Sequence, residues 1–236
     1  MSGVAIINQL FFVFNLLVFG GMSGAGLFSA QYFGQKNHNG VRDVFRMKIL
    51  IGITIIAISL SVMIFLHEPL INMFLHEGSS SGNIQETFNY AKNYLYIMVI
   101  GIAPFVISNC YNTTLKESGQ TVVPMKAGVL AVVFDIVLNY IFIFGKLGFP
   151  AMGVVGAAIA TVISRFVECG YLVIYTHIHS NDYPFIKHCY RTLKVPGSLV
   201  KKIIVTGTPL MLNEFLWAGG LTLQTQALST KGLATV

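Results

Sequence analysis

The sequence predicts an all-α fold, a polytopic transmembrane helix bundle. Three observations point to it: 54% of the 236 residues are hydrophobic, 10% are charged, and the mean hydropathy is +0.70. An average soluble domain carries about 25% charged residues, so the charged side chains here are too few to cover a globule in water. This composition excludes a soluble enzyme, a nucleic-acid-binding protein and a secreted disulfide scaffold, and it predicts a protein surrounded by lipid.

Six apolar segments are each long enough to cross a bilayer, which takes about 20 residues of helix. Strands of a membrane barrel would alternate apolar and polar residues over about ten positions. Runs such as ILIGITIIAISLSVMIFL do not alternate, so each segment is predicted to be a helix. The segments are Val4–Ala30, Met47–Leu66, Phe88–Tyr111, Val122–Phe144, Met152–Ile178 and Ile203–Ser229.

The basic residues predict the orientation of these helices, because cytoplasmic loops carry the excess of Lys and Arg. Eleven of the fifteen basic residues lie in the first, third and fifth connections, which we therefore expect on the cytoplasmic side. The net charge of +6 is then a sign of topology and not of nucleic-acid binding. The eleven residues are Lys36, Arg42, Arg46, Lys48, Lys116, Lys126, Lys187, Arg191, Lys194, Lys201 and Lys202.

The fifth connection is the longest and most basic, and it suggests a boundary between two groups of helices. We expect five helices in residues 1–179, a cytoplasmic basic linker at 180–199, and a further helix in 200–236. This topology places Met1 on the outer face without a basic flank or signal peptide to explain it. The last letters, GLATV, resemble a turn into another helix. Both ends are therefore expected to continue in a longer protein.

Several polar residues lie inside the predicted spans, where an ionisable group costs about 2.5–3.5 kcal/mol. Asp135 is followed one turn later by Asn139 on the same helix face, and Thr161 lies in the next helix. Asn213 and Glu214 lie in the sixth. Counted from Val122 and Lys201 at 1.5 Å per residue, Asp135 and Glu214 each lie about 20 Å into their helices. Thr161 enters from the opposite side and lies about 14 Å from Met152. Side chains at a shared depth can line one cavity.

Two interpretations of this polar set stay open. Asp135 can be a protonatable or cation-binding carboxylate, with Asn139 and Thr161 offering oxygens suited to H⁺ or Na⁺. Alternatively, the group is a polar staple between helices. For Arg165 and Glu168, three residues apart near the cytoplasmic end, a structural pair with extended side chains is favoured.

Small residues and prolines predict local features of the helices. Gly24 in GGMSGAG and Gly156 in GVVGAA belong to small-residue rows, for which close helix packing is the expected explanation. Pro104 and Pro209 are predicted to interrupt the third and sixth helices.

Four stretches together cover nearly the whole chain: GAGLFSAQYFGQKN, LKESGQTVVPMK, FDIVLNYIFIFGKLGFPAMGVVGAAIATVISRFVE and TPLMLNEFLWAGG. In these the chain resembles the multidrug and toxic compound extrusion (MATE) family of cation-coupled antiporters. The resemblance implies the second to seventh of twelve helices in a two-lobed fold, hence an incomplete amino-terminal lobe and the first helix of the carboxy-terminal lobe. It implies proton or sodium groups at Asp135, Asn139 and Thr161, and a second-lobe acid at Glu214 beside Asn213.

The function implied is secondary transport, not enzymatic catalysis, in the plasma membrane. The expected substrates are cationic or amphipathic small molecules exported against H⁺ or Na⁺, with no other cofactor, no nucleic-acid partner, and a monomeric full-length protein. Relatives commonly carry Asn at the position of Asp135, so the ion cannot be named from the sequence. One alternative is a lipid-linked oligosaccharide flippase of the same superfamily, which would need several cavity-facing cations. Another is a truncated product without transport activity alone; an intramembrane prenyltransferase would need clustered Asp for magnesium.

Overall fold

The computed structural model describes residues 3–66, 68–69 and 84–230, and within them all regular structure is helical. Seven α-helices lie in this described part of the chain. A short 3₁₀ helix, Cys189–Arg191, precedes the last of them. The α-helices are α1 (Gly3–Gly34), α2 (His38–Phe65), α3 (Ile84–Ile100), α4 (Ile102–Glu117), α5 (Val122–Phe144), α6 (Gly153–Ile178) and α7 (Gly197–Thr230).

The all-α prediction is confirmed, and the third predicted helix is divided into α3 and α4. The two parts meet at Gly101 and bend by 43°. Pro104 lies in the first turn of α4, where its missing N–H costs no helical hydrogen bond. The break therefore falls three residues before the proline, and the pair remains apolar enough to form one broken span.

Five spans are supported by helix length and hydropathy among the described residues. Four are single helices, Phe11–Gly34, His38–Phe65, Val122–Phe144 and Gly153–Ile178, and the bent pair is the fifth. The sixth predicted span falls in α7, whose described residues do not pass the same test, so that span stays a prediction. Pro209 lies inside the continuous helix α7 and does not divide it.

Helix α1 lies at the centre of the bundle and packs against α2, α3, α4 and α7, while α6 packs against α3, α4 and α5. The main core lies between these helices and is filled by large apolar side chains, among them Phe14, Met22, Phe45, Leu95 and Leu172. Helix α5 is mostly exposed: its buried residues are Val123, Pro124, Ala127 and Phe142. This helix is therefore held mainly by its partner α6.

Glycines allow the closest helix contacts, as the small-residue rows predicted. A Cβ on Gly24 of α1 would lie 2.3 Å from the Cα of Gly207 in α7. A Cβ on Gly156 of α6 would lie 2.8 Å from the carbonyl oxygen of Phe142 in α5. Larger residues at either glycine would push two backbones apart.

Helix α2 begins well before its apolar run, which changes the position of several basic residues. The Asn37 side chain caps the helix by accepting a hydrogen bond from the Gly40 amide at 3.0 Å. Arg42, Arg46 and Lys48 therefore lie within the helix and not in a loop. Lys48 is fully buried.

The predicted linker folds back onto the bundle. Tyr183, Phe185, Ile186 and Cys189 are buried, and burial raises the pKa of the Cys189 thiol to about 11. Arg46 donates to the carbonyl oxygens of Cys189 and His188, each at 3.0 Å. This segment is thus a packed cover over one end of the helices; the division into two lobes on either side of it stays a prediction.

Candidate cation site

Asp135 lies in α5 with both carboxylate oxygens engaged. Asn139, one turn later, donates from Nδ2 to Asp135 Oδ2 at 3.0 Å. Ser164 of α6 donates from Oγ to Asp135 Oδ1 at 3.2 Å. Gly156 makes this contact possible, because it brings α6 against α5 two turns from Ser164. The carboxylate therefore lies in the interface between the two helices.

Thr161 joins the group through its backbone. The Ser164 hydroxyl also contacts the Thr161 carbonyl oxygen, at 2.9 Å, so the same residue touches both predicted site residues. Asp135, Asn139 and Thr161 are all half-buried. The structure thus brings the three residues to one place, which we call the Asp135 cluster: Asp135, Asn139, Thr161 and Ser164.

Ser164 was not among the site residues predicted from the sequence, although its spacing from Thr161 could have indicated it. It lies three residues after Thr161 and hence on the same face of α6. A carboxylate within a membrane span also needs hydrogen-bond donors. The helix opposite Asp135 was therefore the place to look for a hydroxyl.

The Asp135 cluster has an unused acceptor and a carboxylate without an ion pair among the described residues. Asn139 Oδ1 is buried without a hydrogen-bond partner, which is uncommon in folded proteins and calls for an explanation. In the part of the chain that the structure describes, Asp135 forms no ion pair with a Lys, Arg or His. Carboxylate and amide oxygens are ligands that hard cations prefer. A proton or a small cation would supply what the cluster lacks.

Asn213 and Glu214 lie apart from this cluster. They belong to α7, which packs against α1, and among the described residues neither forms a hydrogen bond with Asp135, Asn139 or Thr161. Glu214 is half-buried and Asn213 is exposed. Their expected role in a second-lobe site stays a prediction.

Arg165, which the sequence pairs with Glu168, also contacts groups outside α6. Its guanidinium lies between the rings of Phe11 and Phe105, 5.6 and 5.0 Å from their centroids. Arg165 Nη1 also donates to the Gly101 carbonyl oxygen at 3.4 Å. Arg165 therefore turns into the bundle and contacts the bend between α3 and α4, since aromatic faces and a carbonyl oxygen both attract a cation.

A protein-family model described as MatE matches residues 1–141. The chain belongs to the MatE family. This confirms the resemblance, and with five supported spans it makes the MatE chain a multi-pass membrane protein.

Curated relatives of the MatE chain include a probable multidrug resistance protein NorM of Thermotoga maritima, 32% identical over 93% of this chain and 45% of the relative. A protein of the same name from Halalkalibacterium halodurans is 30% identical over 100% of this chain and 50% of the relative. The chain spans about half the length of these relatives.

Solved structures confirm the fold. A MATE crystal structure in the bent conformation is similar over 90% of this chain and 45% of its own, with a TM-score of 0.73 and 26% identity. An outward-facing multidrug resistance MATE transporter of the MOP superfamily is similar over 90% of this chain and 44% of its own, with a TM-score of 0.70 and 26% identity.

Proposed function

We propose that the MatE chain supplies the coupling-ion site of a secondary transporter that exports organic cations and other xenobiotics by antiport with H⁺ or Na⁺. The observation that carries this proposal is the Asp135 cluster, a carboxylate inside a membrane span that has a buried acceptor beside it and forms no ion pair among the described residues. A staple between helices would need neither the negative charge nor the unused oxygen. The names of the multidrug relatives support the class of substrate.

Binding of either ion satisfies the cluster in a specific way. A sodium ion would take Asp135 and Asn139 Oδ1 as oxygen ligands. A proton on Asp135 creates a hydroxyl donor; the Asn139 amide then turns over, so that its oxygen accepts this proton. In both cases the charge inside the span is neutralised, which removes the main cost of placing Asp135 in lipid.

Neutralisation acts on a helix with few buried residues. Helix α5 has little buried surface beyond its ends and depends on α6 for packing. A cation that binds one arrangement of this hairpin more tightly than another shifts the equilibrium between them. We propose that this shift couples ion entry to drug release in alternating access.

The flippase alternative receives less support from the same residues. It needs cationic side chains free to bind an anionic headgroup. Arg165 is engaged by two aromatic rings and the Gly101 carbonyl, and Lys48 is engaged by Glu117. The efflux proposal has no such requirement.

Ion binding can be tested on the purified chain in detergent. We expect the midpoint of thermal unfolding to rise with NaCl, relative to choline chloride at the same ionic strength, if the ion is sodium. If the midpoint of thermal unfolding depends on pH and not on NaCl, the ion is the proton. Asp135→Asn abolishes the response of the unfolding midpoint in both cases. The control is Glu168→Gln, which removes a half-buried acid of the neighbouring helix α6 and retains the response. An equal response in Asp135→Asn and the wild type would refute the assignment of the site.

Transport is tested separately, by ethidium efflux from cells expressing the gene that encodes this chain. Asp135→Asn and Glu214→Gln should each reduce efflux at least about tenfold, since either removes a proposed coupling charge. Normal efflux in both variants would contradict antiport through these acids.

A further inference from the structure

An apolar groove runs between α2 and α4, and no residue of the Asp135 cluster lines it. Its volume is about 240 Å³, and its lining is almost entirely apolar. Seven residues of α2 separate Ile49 from Ile56, so the groove extends about 10 Å along the helix, a third of the hydrocarbon thickness. The lining residues are Ile49, Gly52, Ile53, Ile56, Val106, Ile107, Cys110, Tyr111 and Tyr190.

Small residues bring α2 and α4 close together at the floor of the groove. Gly52 has no side chain, and a Cβ there would already lie 2.9 Å from Val106 Cγ1. Cys110, which also lies near Gly52, is small and buried. Ile53 and Ile107 form exposed walls and are accessible to lipid. The shape suits a flexible hydrocarbon chain better than a polar solute.

One end of the groove is closed by a pair of tyrosines. The Tyr111 and Tyr190 hydroxyls form a hydrogen bond; Tyr111 is buried, whereas Tyr190 is exposed. Each phenol carries one proton, so when Tyr111 donates to Tyr190, the Tyr190 proton is available to a group outside. Tyrosines with this apolar body and polar tip are typical of the membrane interface.

The segment that carries Tyr190 is basic. Arg191 follows Tyr190 in the 3₁₀ helix, and Lys194 lies three residues further; both are exposed and form no ion pair among the described residues. Lys187 is also exposed and donates to Asn181. Apolar walls next to a hydroxyl donor and a basic segment match a molecule with an acyl chain and an anionic head.

We propose that this groove binds one acyl chain of an anionic phospholipid, whose phosphate is held at the mouth by the Tyr190 hydroxyl and Arg191. The lipid belongs to the leaflet on the side of the packed linker. It joins α2 and α4 to that linker, because the groove is lined by all three. Its headgroup chemistry is that of phosphatidylglycerol rather than that of a zwitterionic lipid.

The test is native mass spectrometry of the purified chain in detergent, with equimolar phosphatidylglycerol and phosphatidylcholine that carry the same oleoyl chains. We expect one phosphatidylglycerol per chain and about tenfold less phosphatidylcholine. Glycerol phosphate, which has the headgroup without acyl chains, does not compete. Competition by glycerol phosphate, or equal retention of the two lipids, would overturn the proposal.

Two pairs of variants separate the acyl chain from the headgroup. Ile53→Trp fills the groove and reduces the binding of both lipids. Its control, Ile58→Trp, changes an equally exposed isoleucine of α2 outside the groove, 55% exposed against 53%, and binds normally. Arg191→Gln reduces the preference for phosphatidylglycerol, and Lys126→Gln, which removes an exposed lysine from α5, does not.

The variants are compared only where their thermal unfolding midpoints equal that of the wild type. An unchanged lipid preference in Arg191→Gln would overturn the assignment of an anionic lipid. A dimer that disappears in Ile53→Trp would show that a second copy of the chain covers the groove, and would also refute the proposal.

Discussion

Lys48 and Asp135 are both ionisable groups within apolar helices, yet their surroundings differ. Lys48 Nζ donates to Thr113 and Thr114 at 3.0 and 3.2 Å and to Glu117 at 2.5 Å, which uses all three of its protons. Asp135 accepts from two neutral donors, and the neighbouring oxygen Asn139 Oδ1 has no hydrogen-bond partner.

The difference teaches how to separate a structural ionisable group from a functional one. The Lys48 cluster (Lys48, Thr113, Thr114 and Glu117) is neutral in total and has nothing left to bind. The Asp135 cluster carries a net negative charge and an unused oxygen. Charge balance and hydrogen-bond satisfaction, more than burial, therefore distinguish the two clusters.

The largest expected effect is on the Lys48 cluster. Glu117→Gln leaves the buried ammonium of Lys48 without a counter-charge and should lower the free energy of unfolding by about 3–5 kcal/mol. Unfolding in mixed micelles measures this. Combining Lys48→Met with Glu117→Leu removes both charges and should restore most of the stability. If the double variant is less stable than Glu117→Gln, the cluster contributes more than charge balance.

Arg165 provides an intermediate case, a cation that contacts two aromatic rings and a backbone carbonyl. Arg165→Met removes two ring contacts and the hydrogen bond to Gly101, and should cost about 1–3 kcal/mol. Arg165→Lys keeps the positive charge near the rings and should cost less. The same unfolding measurement applies, and equal losses in the two variants would show that the guanidinium plane matters more than its charge.

Asp135→Asn should change stability by less than about 1 kcal/mol, since the loss of charge-assisted hydrogen bonds is offset by removal of an uncompensated charge from the span. Its cation response should disappear all the same. A loss of stability as large as that of Glu117→Gln would remove the distinction between the two clusters and favour a structural role for Asp135.

The smallest effect is expected for Ser164→Ala, about 0.5–1 kcal/mol in stability and about a threefold weaker cation response, because one neutral donor to Asp135 is lost. Ser108→Ala is the matched control. It removes a buried hydroxyl that bonds to the Pro104 carbonyl at 2.8 Å and should leave the cation response unchanged. The experiment is the salt titration of thermal unfolding described above.

Local spacing could predict part of the candidate site and not the rest. Asp135 and Asn139 are one turn apart, so their contact is a property of one helix. The contact of Asp135 with Ser164 depends on how α5 and α6 pack. The spacing of Arg165 and Glu168 suggested a structural pair, but it could not show that Arg165 also contacts the Gly101 carbonyl and the rings of Phe11 and Phe105, which lie outside α6.

Hydropathy also misplaced the start of α2. The apolar run begins at Met47, but α2 begins at His38, because hydropathy reports the length that faces lipid and the Asn37 cap sets the start of the helix. Three basic residues expected in a loop therefore lie in the helix, and two of them, Arg46 and Lys48, are buried. Arg46 holds the packed linker, and Lys48 pairs with Glu117.

Composition and hydropathy were enough to establish a multi-pass helical membrane protein, because the cost of burying charge in lipid acts on every residue independently of its neighbours. The motifs were enough to identify the family. Whether an ionisable group is compensated or left open to a ligand is a different kind of property. It depends on donors and counter-charges that come from other helices, and only the packing of those helices brought Ser164 to Asp135 and Glu117 to Lys48.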